Sequence, residues 1–290
     1  MPLVIAAIMP HGFPLVPAIS DDADGALATR EAMFEVSRRF KAARPDVVVI
    51  SGPHNIWVRD AIMLAACGRG AGTMHYQGRT VEMNIPFDLA LRDAIADRAR
   101  ERGVPIADVG YAVPDPLSAV LPLDWGLMTP LWFAGHDHDQ AGAGHVLADF
   151  FGPVPETSGP AAVVVNPSRS LPREVNVEFG RAVAEAAGAD SRRVALIASC
   201  DWSHTHSAQG PGGFHPDAAR MDAQVLQAIR DDDIMSLIDL DDTFVRNASI
   251  DGLWQLLMLE GARQVVPMTV DVLSYEAPTY YGMIVATYQP

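Results

Sequence analysis

Only two cysteines, Cys67 and Cys200, occur in 290 residues. Two thiols cannot build a disulfide framework or a four-thiolate zinc site, so a reducing, cytoplasmic setting is expected. Positive charge is also scarce: 21 Lys+Arg stand against 36 Asp+Glu, a formal net charge of −15. A surface of that sign repels phosphate backbones and anionic lipid, which argues against nucleic-acid and membrane partners. Missing too is any run of ~20 apolar residues free of proline and charge, so no membrane span is expected. Residues 1–20 carry no charged side chain, yet the first cation is Arg30 and Pro2, Pro10, Pro14 and Pro17 interrupt the apolar stretch. A secretory leader needs a basic start and an unbroken apolar run, and that reading is set aside. With 49% hydrophobic and 20% charged residues the chain is too apolar to be disordered and long enough for a sizeable core.

What is present is an alternation of strand and helix signals. Short β-branched runs bounded by turn residues mark strands at Leu3–Met9, Asp46–Ser51, Pro105–Val109, Ala161–Asn166 and Arg193–Ser199. Helical patterns occupy Gly25–Ala43, Phe87–Arg102, Arg173–Ala187, Pro216–Arg230 and Ser249–Gly261. This order predicts an α/β fold: a single domain over residues 1–290, with a mostly parallel central sheet flanked by helices. Val265–Ser274 and Tyr280–Tyr288 predict a C-terminal antiparallel hairpin at one sheet edge. There is no internal repeat, and Gly152–Pro160 is the run most like a surface loop.

Three histidines follow strand patterns directly: His11 in AAIMPHGFP, His54 in VVVISGPHN and His204 in ALIASCDWSH. Ligands of open parallel sheets bind beyond the strand C-termini, where loops from separate strands converge. A lone histidine is more often structural, but three at equivalent places point to a shared site. Pro10 and Pro53 each stand immediately before a histidine. Proline fixes its own φ and holds the preceding residue extended, so the imidazole is presented at a defined angle, as a metal ligand requires. Two imidazoles and a carboxylate are the usual facial set for non-haem Fe(II). Spacing alone does not identify the carboxylate among 36 acidic residues.

The PHG near the start, SGPHN, PLDWGLMTPLWF, the DWSHTH segment leading into GPGGFHPD, and SIDGLWQLLMLEGA run in order through the chain. Together they resemble the class III extradiol ring-cleavage dioxygenases, the superfamily of the catalytic subunit of protocatechuate 4,5-dioxygenase. Each motif alone is weak; five in order over nearly the whole chain are fairly specific. The resemblance implies a mononuclear Fe(II) site and ligands at His11 and His54. The family's third ligand, a glutamate near the start of the late helix, has no exact match, and its role carries over to Asp251. Asp251 is equally suited to a helix-start acid favoured by the helix dipole, while Glu260 stands too late for the ligand. The family's pocket acid/base histidine falls on His204, with Asp201 three residues earlier able to orient it or to cap the turn. Trp125 stands where the family commonly has histidine; an indole cannot titrate but can stack on an aromatic ring, and a core position would suit it as well. His206 and His215 are candidate helpers lining the substrate pocket, although a solvated loop suits His206 better. Arg169, in NPSRS, is the best cation for a substrate carboxylate, against the alternative of an ordinary loop arginine. His136 and His138 read as a solvated polar tract, and His75 and His145 receive no role.

The activity implied is oxidative opening of a catechol-type or 2-aminophenol-type ring, beside rather than between its two heteroatoms, by an Fe(II)-dependent extradiol dioxygenase with O2 as co-substrate. The implied assembly is a homo-oligomer, or a hetero-oligomer with a related subunit. Two other readings stand: a non-catalytic companion subunit or binding protein on the same fold, and a zinc-dependent enzyme using the same three ligands.

Overall fold

The computed structural model describes residues 3–12, 15–21, 25–136 and 159–290. Eight strands form one mixed sheet. In spatial order they are β10 (Thr269–Glu276), β11 (Met283–Gln289), β1 (Leu3–Met9), β9 (Val194–Ser199), β2 (Val47–Ser51), β8 (Ala161–Asn166), β3 (Ile62–Ala65) and β6 (Ile106–Val109). The central four, β1, β9, β2 and β8, run parallel to one another, and β3 lies antiparallel against β8. β11 lies antiparallel against β1 and carries β10 at the edge. The expected α/β class, parallel core and C-terminal antiparallel strands are therefore present, with β11 one place in from the edge.

Strand residues alternate between two apolar layers, as a period of two requires. Val47 and Val49 of β2 face one layer with α2 (Leu89–Glu101), α4 (Arg173–Ala189), α5 (Asp217–Arg230) and α7 (Leu253–Val265). Val48 and Ile50 face the other, with α1 (Leu27–Ala43) and α3 (Trp125–Phe133). A short helix, α6 (Asp242–Ala248), precedes α7. The helices α4 and α7 pack unusually close. A Cβ on Gly180 would lie 1.8 Å from the Met258 carbonyl oxygen, and one on Gly261 would lie 1.9 Å from that of Val177. Gly261 is thus the glycine of the LEGA motif for a packing reason.

The alternation pattern did not anticipate a three-stranded second sheet, β5 (Arg79–Pro86), β4 (Arg69–Tyr76) and β7 (Val120–Pro122). Its central strand, β4, is glycine-rich because Gly70 and Gly72 lie under Phe87, Leu123 and Met128. The β4–β5 turn places both Gln77 (φ 48°) and Gly78 (φ 78°) in the left-handed region that a tight hairpin needs. No helix among the described residues is long and apolar enough to cross a membrane. Residues 152–158 of the expected loop, together with His138 and His145, lie outside the described residues.

Parallel pairing has one consequence for the site. The C-terminal ends of β1, β2, β8 and β9 share one edge of the sheet, and the loops that leave them carry His11, His54, Arg169 and His204.

Candidate active site and metal centre

His11 leaves β1 fully buried. Its Nδ1 lies 3.0 Å from Ser199 Oγ, and that hydroxyl donates to the Gly126 carbonyl at 2.5 Å. A hydroxyl has one proton to give. With that proton on the carbonyl, Ser199 can only accept from the imidazole, so Nδ1 carries the hydrogen and Nε2 the lone pair. Burial, reinforced by His54 and His204, holds the His11 pKa well below its ordinary value. The ring is neutral, as a ligand imidazole must be.

His54 is held by a different set of partners. Its Nδ1 lies 2.8 Å from Asp124 Oδ2, while Asp124 Oδ1 accepts the Leu127 backbone N–H at 3.2 Å as N-cap of α3. One carboxylate therefore starts a helix and fixes an imidazole. The ring sits over Gly126, where a Cβ would come within 2.6 Å of His54 Cε1. The Asp and Gly of the LDWG motif both serve this placement. The His11 and His54 rings lie edge to face, with centroids 5.2 Å apart and planes at 90°.

His204, on the loop after β9, donates from Nδ1 to the Trp202 carbonyl at 2.7 Å and faces the Ser249 carbonyl at 3.1 Å. Its Nε2 stands 3.8 Å from Asp251 Oδ2, and the Tyr281 ring stacks on it with centroids 5.6 Å apart. Burial lowers its pKa, so near neutrality Nε2 is ready to accept a proton.

Two carboxylates meet these rings. Asp251 Oδ2 lies 3.8 Å from His11 Nε2, matching its distance to His204. Asp251 Oδ1 is buried with no hydrogen-bond partner among the described residues. Asp201 does not orient His204; its Oδ1 accepts the His11 backbone N–H at 3.1 Å and its Oδ2 lies 3.3 Å from His11 Nε2. Burial pushes Asp201 up to about 7 and raises Asp251 well above the usual carboxylate range, the Asp201 charge adding to the latter.

The remaining sequence candidates separate. Trp125 is 42% exposed rather than core; its ring lies 4.5 Å from that of His54. With Ile56, Tyr111 and Leu123 it lines a groove of about 420 Å³ beside His54. Arg169 lies across Trp254 and Trp57, its Cζ 4.7 and 5.6 Å from the two ring centroids, and its charge acts on both Asp251 and His204. His206 and His215 are placed elsewhere. His206 Nε2 bonds Asp222 Oδ2 at 2.8 Å, and His215 Nδ1 accepts the Asp217 N–H at 3.2 Å where α5 begins. Glu260 pairs with Arg263 at 2.8 Å. The sequence reading missed Asp124 and Ser199 as partners of the ligand imidazoles. The only local trace was Asp124 in an N-cap position ahead of an apolar run.

Among the described residues no three His, Cys, Asp or Glu side chains are already drawn into a closed metal-binding group. The donor set nevertheless fits a divalent cation. His11 and His54 each have Nδ1 engaged by a partner, the arrangement usual for metal-bound histidine. An orphaned buried carboxylate oxygen and a second buried carboxylate leave negative charge that a cation would offset.

A sequence model described as the catalytic LigB subunit of aromatic ring-opening dioxygenase matches residues 5–285. Protein CA_C1420 of Clostridium acetobutylicum is 22% identical over 271 residues, covering 93% of this chain and 54% of that protein. The chain thus spans about half the length of this curated relative. The crystal structure of the uncharacterized protein JW3007 from Escherichia coli K12 superposes with a TM-score of 0.59 at 14% identity, over 98% of this chain and 99% of that one, a likeness of fold. With the family match running from β1 into β11, the chain belongs to the family of the catalytic LigB subunit of aromatic ring-opening dioxygenase.

Proposed function

We propose that residues 1–290 form a single catalytic domain, a cytoplasmic Fe(II)-dependent extradiol dioxygenase that opens a catechol-type or 2-aminophenol-type ring with O2. The observation that carries this reading is the common state of the three strand-end histidines. Each has Nδ1 engaged, by Ser199, by Asp124 or by main-chain carbonyls, and two present Nε2 to the same Asp251 oxygen.

In this reading His11, His54 and Asp251 hold the metal. Asp251 is preferred to Asp201 because Asp201 Oδ1 is already committed to the His11 N–H, while Asp251 Oδ1 has no partner. When bound, iron(II) supplies a redox-active centre with open positions for a diol and O2. His204 does the proton work: its neutral Nε2 takes the hydroxyl proton of the arriving diol and returns it to an oxygen of the opened ring. Hydrogen bonds on Nδ1 and the Tyr281 stack keep the ring from turning away. Trp125 offers its indole face to the substrate ring. His206 and His215 support the loop behind His204, and assembly with copies of itself or a related subunit belongs to the same proposal.

The test is O2 uptake by anaerobically iron-loaded protein across a panel of catechols and 2-aminophenols. Stoichiometric uptake with a yellow ring-opened product is expected. No uptake with any diol or aminophenol would overturn the reading, and activity restored by zinc alone would move it to metal-activated water.

A further inference from the structure

The His11 imidazole faces acceptors where a donor is needed. With its hydrogen on Nδ1, its Nε2 presents a lone pair, and two carboxylate oxygens stand opposite: Asp201 Oδ2 at 3.3 Å and Asp251 Oδ2 at 3.8 Å. His11 and Asp201 are buried and Asp251 nearly so. Buried acceptors converge in this way only around something electropositive. A proton on Asp201 is one answer, but 3.3 Å is longer than the roughly 2.5–3.0 Å of a hydroxyl hydrogen bond. A divalent cation is the other. Nitrogen and oxygen donors held roughly 2.0–2.2 Å from one such ion lie about 3.0–3.4 Å apart when adjacent. The Asp201 oxygen already stands at that spacing from His11, and the Asp251 oxygen slightly outside it.

Charge points the same way. Two neutral imidazoles and one carboxylate leave a divalent ion with a positive charge uncancelled, and Arg169 adds its own field at Asp251. Asp201 supplies the cancelling charge inside the buried site, where an unbalanced one is costly. Its two oxygens divide the work. Oδ1 accepts the His11 backbone N–H at 3.1 Å, and that bond turns Oδ2 toward the imidazole of the same residue.

Resting on the proposed centre at His11, His54 and Asp251, we infer that Asp201 Oδ2 is a fourth metal ligand in the substrate-free protein, displaced when a diol chelates. Four protein ligands in an octahedral set leave two positions. A diol fills both and O2 needs a third, so Asp201 gives up its place on diol binding. Its Oδ1 bond to the His11 N–H keeps it alongside.

Mn(II) accepts the same donors in octahedral geometry and reports the count. In the Mn(II)-loaded protein, broadening of the electron paramagnetic resonance lines by oxygen-17 water gives the number of bound waters. Two per ion are expected in the native protein and three in Asp201→Asn. The asparagine carbonyl keeps the His11 N–H, while its amide nitrogen replaces Oδ2. Anaerobic catechol should leave one water in both proteins. A residue that merely braced His11 would alter metal affinity and leave the water count alone. Three waters in the native protein, a count that needs no variant to fold, would overturn the inference and leave the three-ligand centre standing. An unchanged count in Asp201→Asn would do the same, and an extra water in His204→Ala would make His204 the fourth ligand instead. Catechol that leaves no water on the native protein would overturn the displacement. Absence of saturable Fe(II) or Mn(II) binding would remove the centre itself.

Discussion

Ser199 has one hydroxyl proton and the Gly126 carbonyl takes it, so the Ser199 contact sets the His11 tautomer. Asp124 does the same for His54 with more charge. Replacing it by asparagine keeps the shape and an acceptor oxygen but removes the negative charge behind the imidazole. Asp124→Asn is expected to weaken metal affinity by about 10–100-fold with little loss of fold, measured by competition with a chelator; unchanged affinity would deny Asp124 an orienting role. His204→Ala should retain stoichiometric metal and lose about 10²–10⁴-fold in kcat. Loss of metal would make it a ligand, and unchanged kcat would remove it from the proton path. At this scale the sequence was half legible. His11 and His54 stood out because a strand, a proline and an imidazole are local facts. Asp124 and Ser199 did not, because they meet their histidines across 70 and 188 residues.

In the proposed mechanism turnover depends on the loop between β9 and α5, which is pinned from two sides. Its Trp202 and His206 N–H groups donate to the Gly282 and Tyr280 carbonyls ahead of β11. From α5 the fully buried Asp222 accepts from the Ser203 N–H at 3.0 Å, His206 Nε2 at 2.8 Å and the Tyr275 hydroxyl at 3.1 Å. Three donors on one carboxylate tie the loop, the edge hairpin and α5 together, with His204 in the middle. Asparagine at 222 would turn a donor toward donors. Asp222→Asn is expected to lose about 2–4 kcal/mol of stability in denaturant unfolding and to lower kcat while metal binding persists. An unaltered unfolding midpoint would contradict this account of the loop. Strand-and-helix alternation showed seven of the eight strands of the main sheet, missing β3, and five of its helices within a few residues. It did not show this pinning, nor the second sheet, whose Gly70 and Gly72 are chosen for what lies on top of them.

Across the whole molecule, four neighbouring parallel strands bring distant loops to one sheet edge, and folding thereby gathers buried carboxylates beside neutral imidazoles. Asp201 and Asp251 are both pushed toward protonation there, a cost that ordinary cores avoid and that a cation relieves. The protein fold was legible from order and periodicity, since these are properties of the chain. Which acid completes the site was not, since that depends on where α7 begins relative to β1. Anaerobic Fe(II) titration followed by calorimetry, in the native protein and in His11→Ala, His54→Ala and Asp251→Ala, bears most directly on the proposed centre. One saturable site per chain, lost in all three variants while their folded spectra persist, is the result predicted. Absence of saturable binding in the native protein, or full-strength binding in either histidine variant, would contradict it.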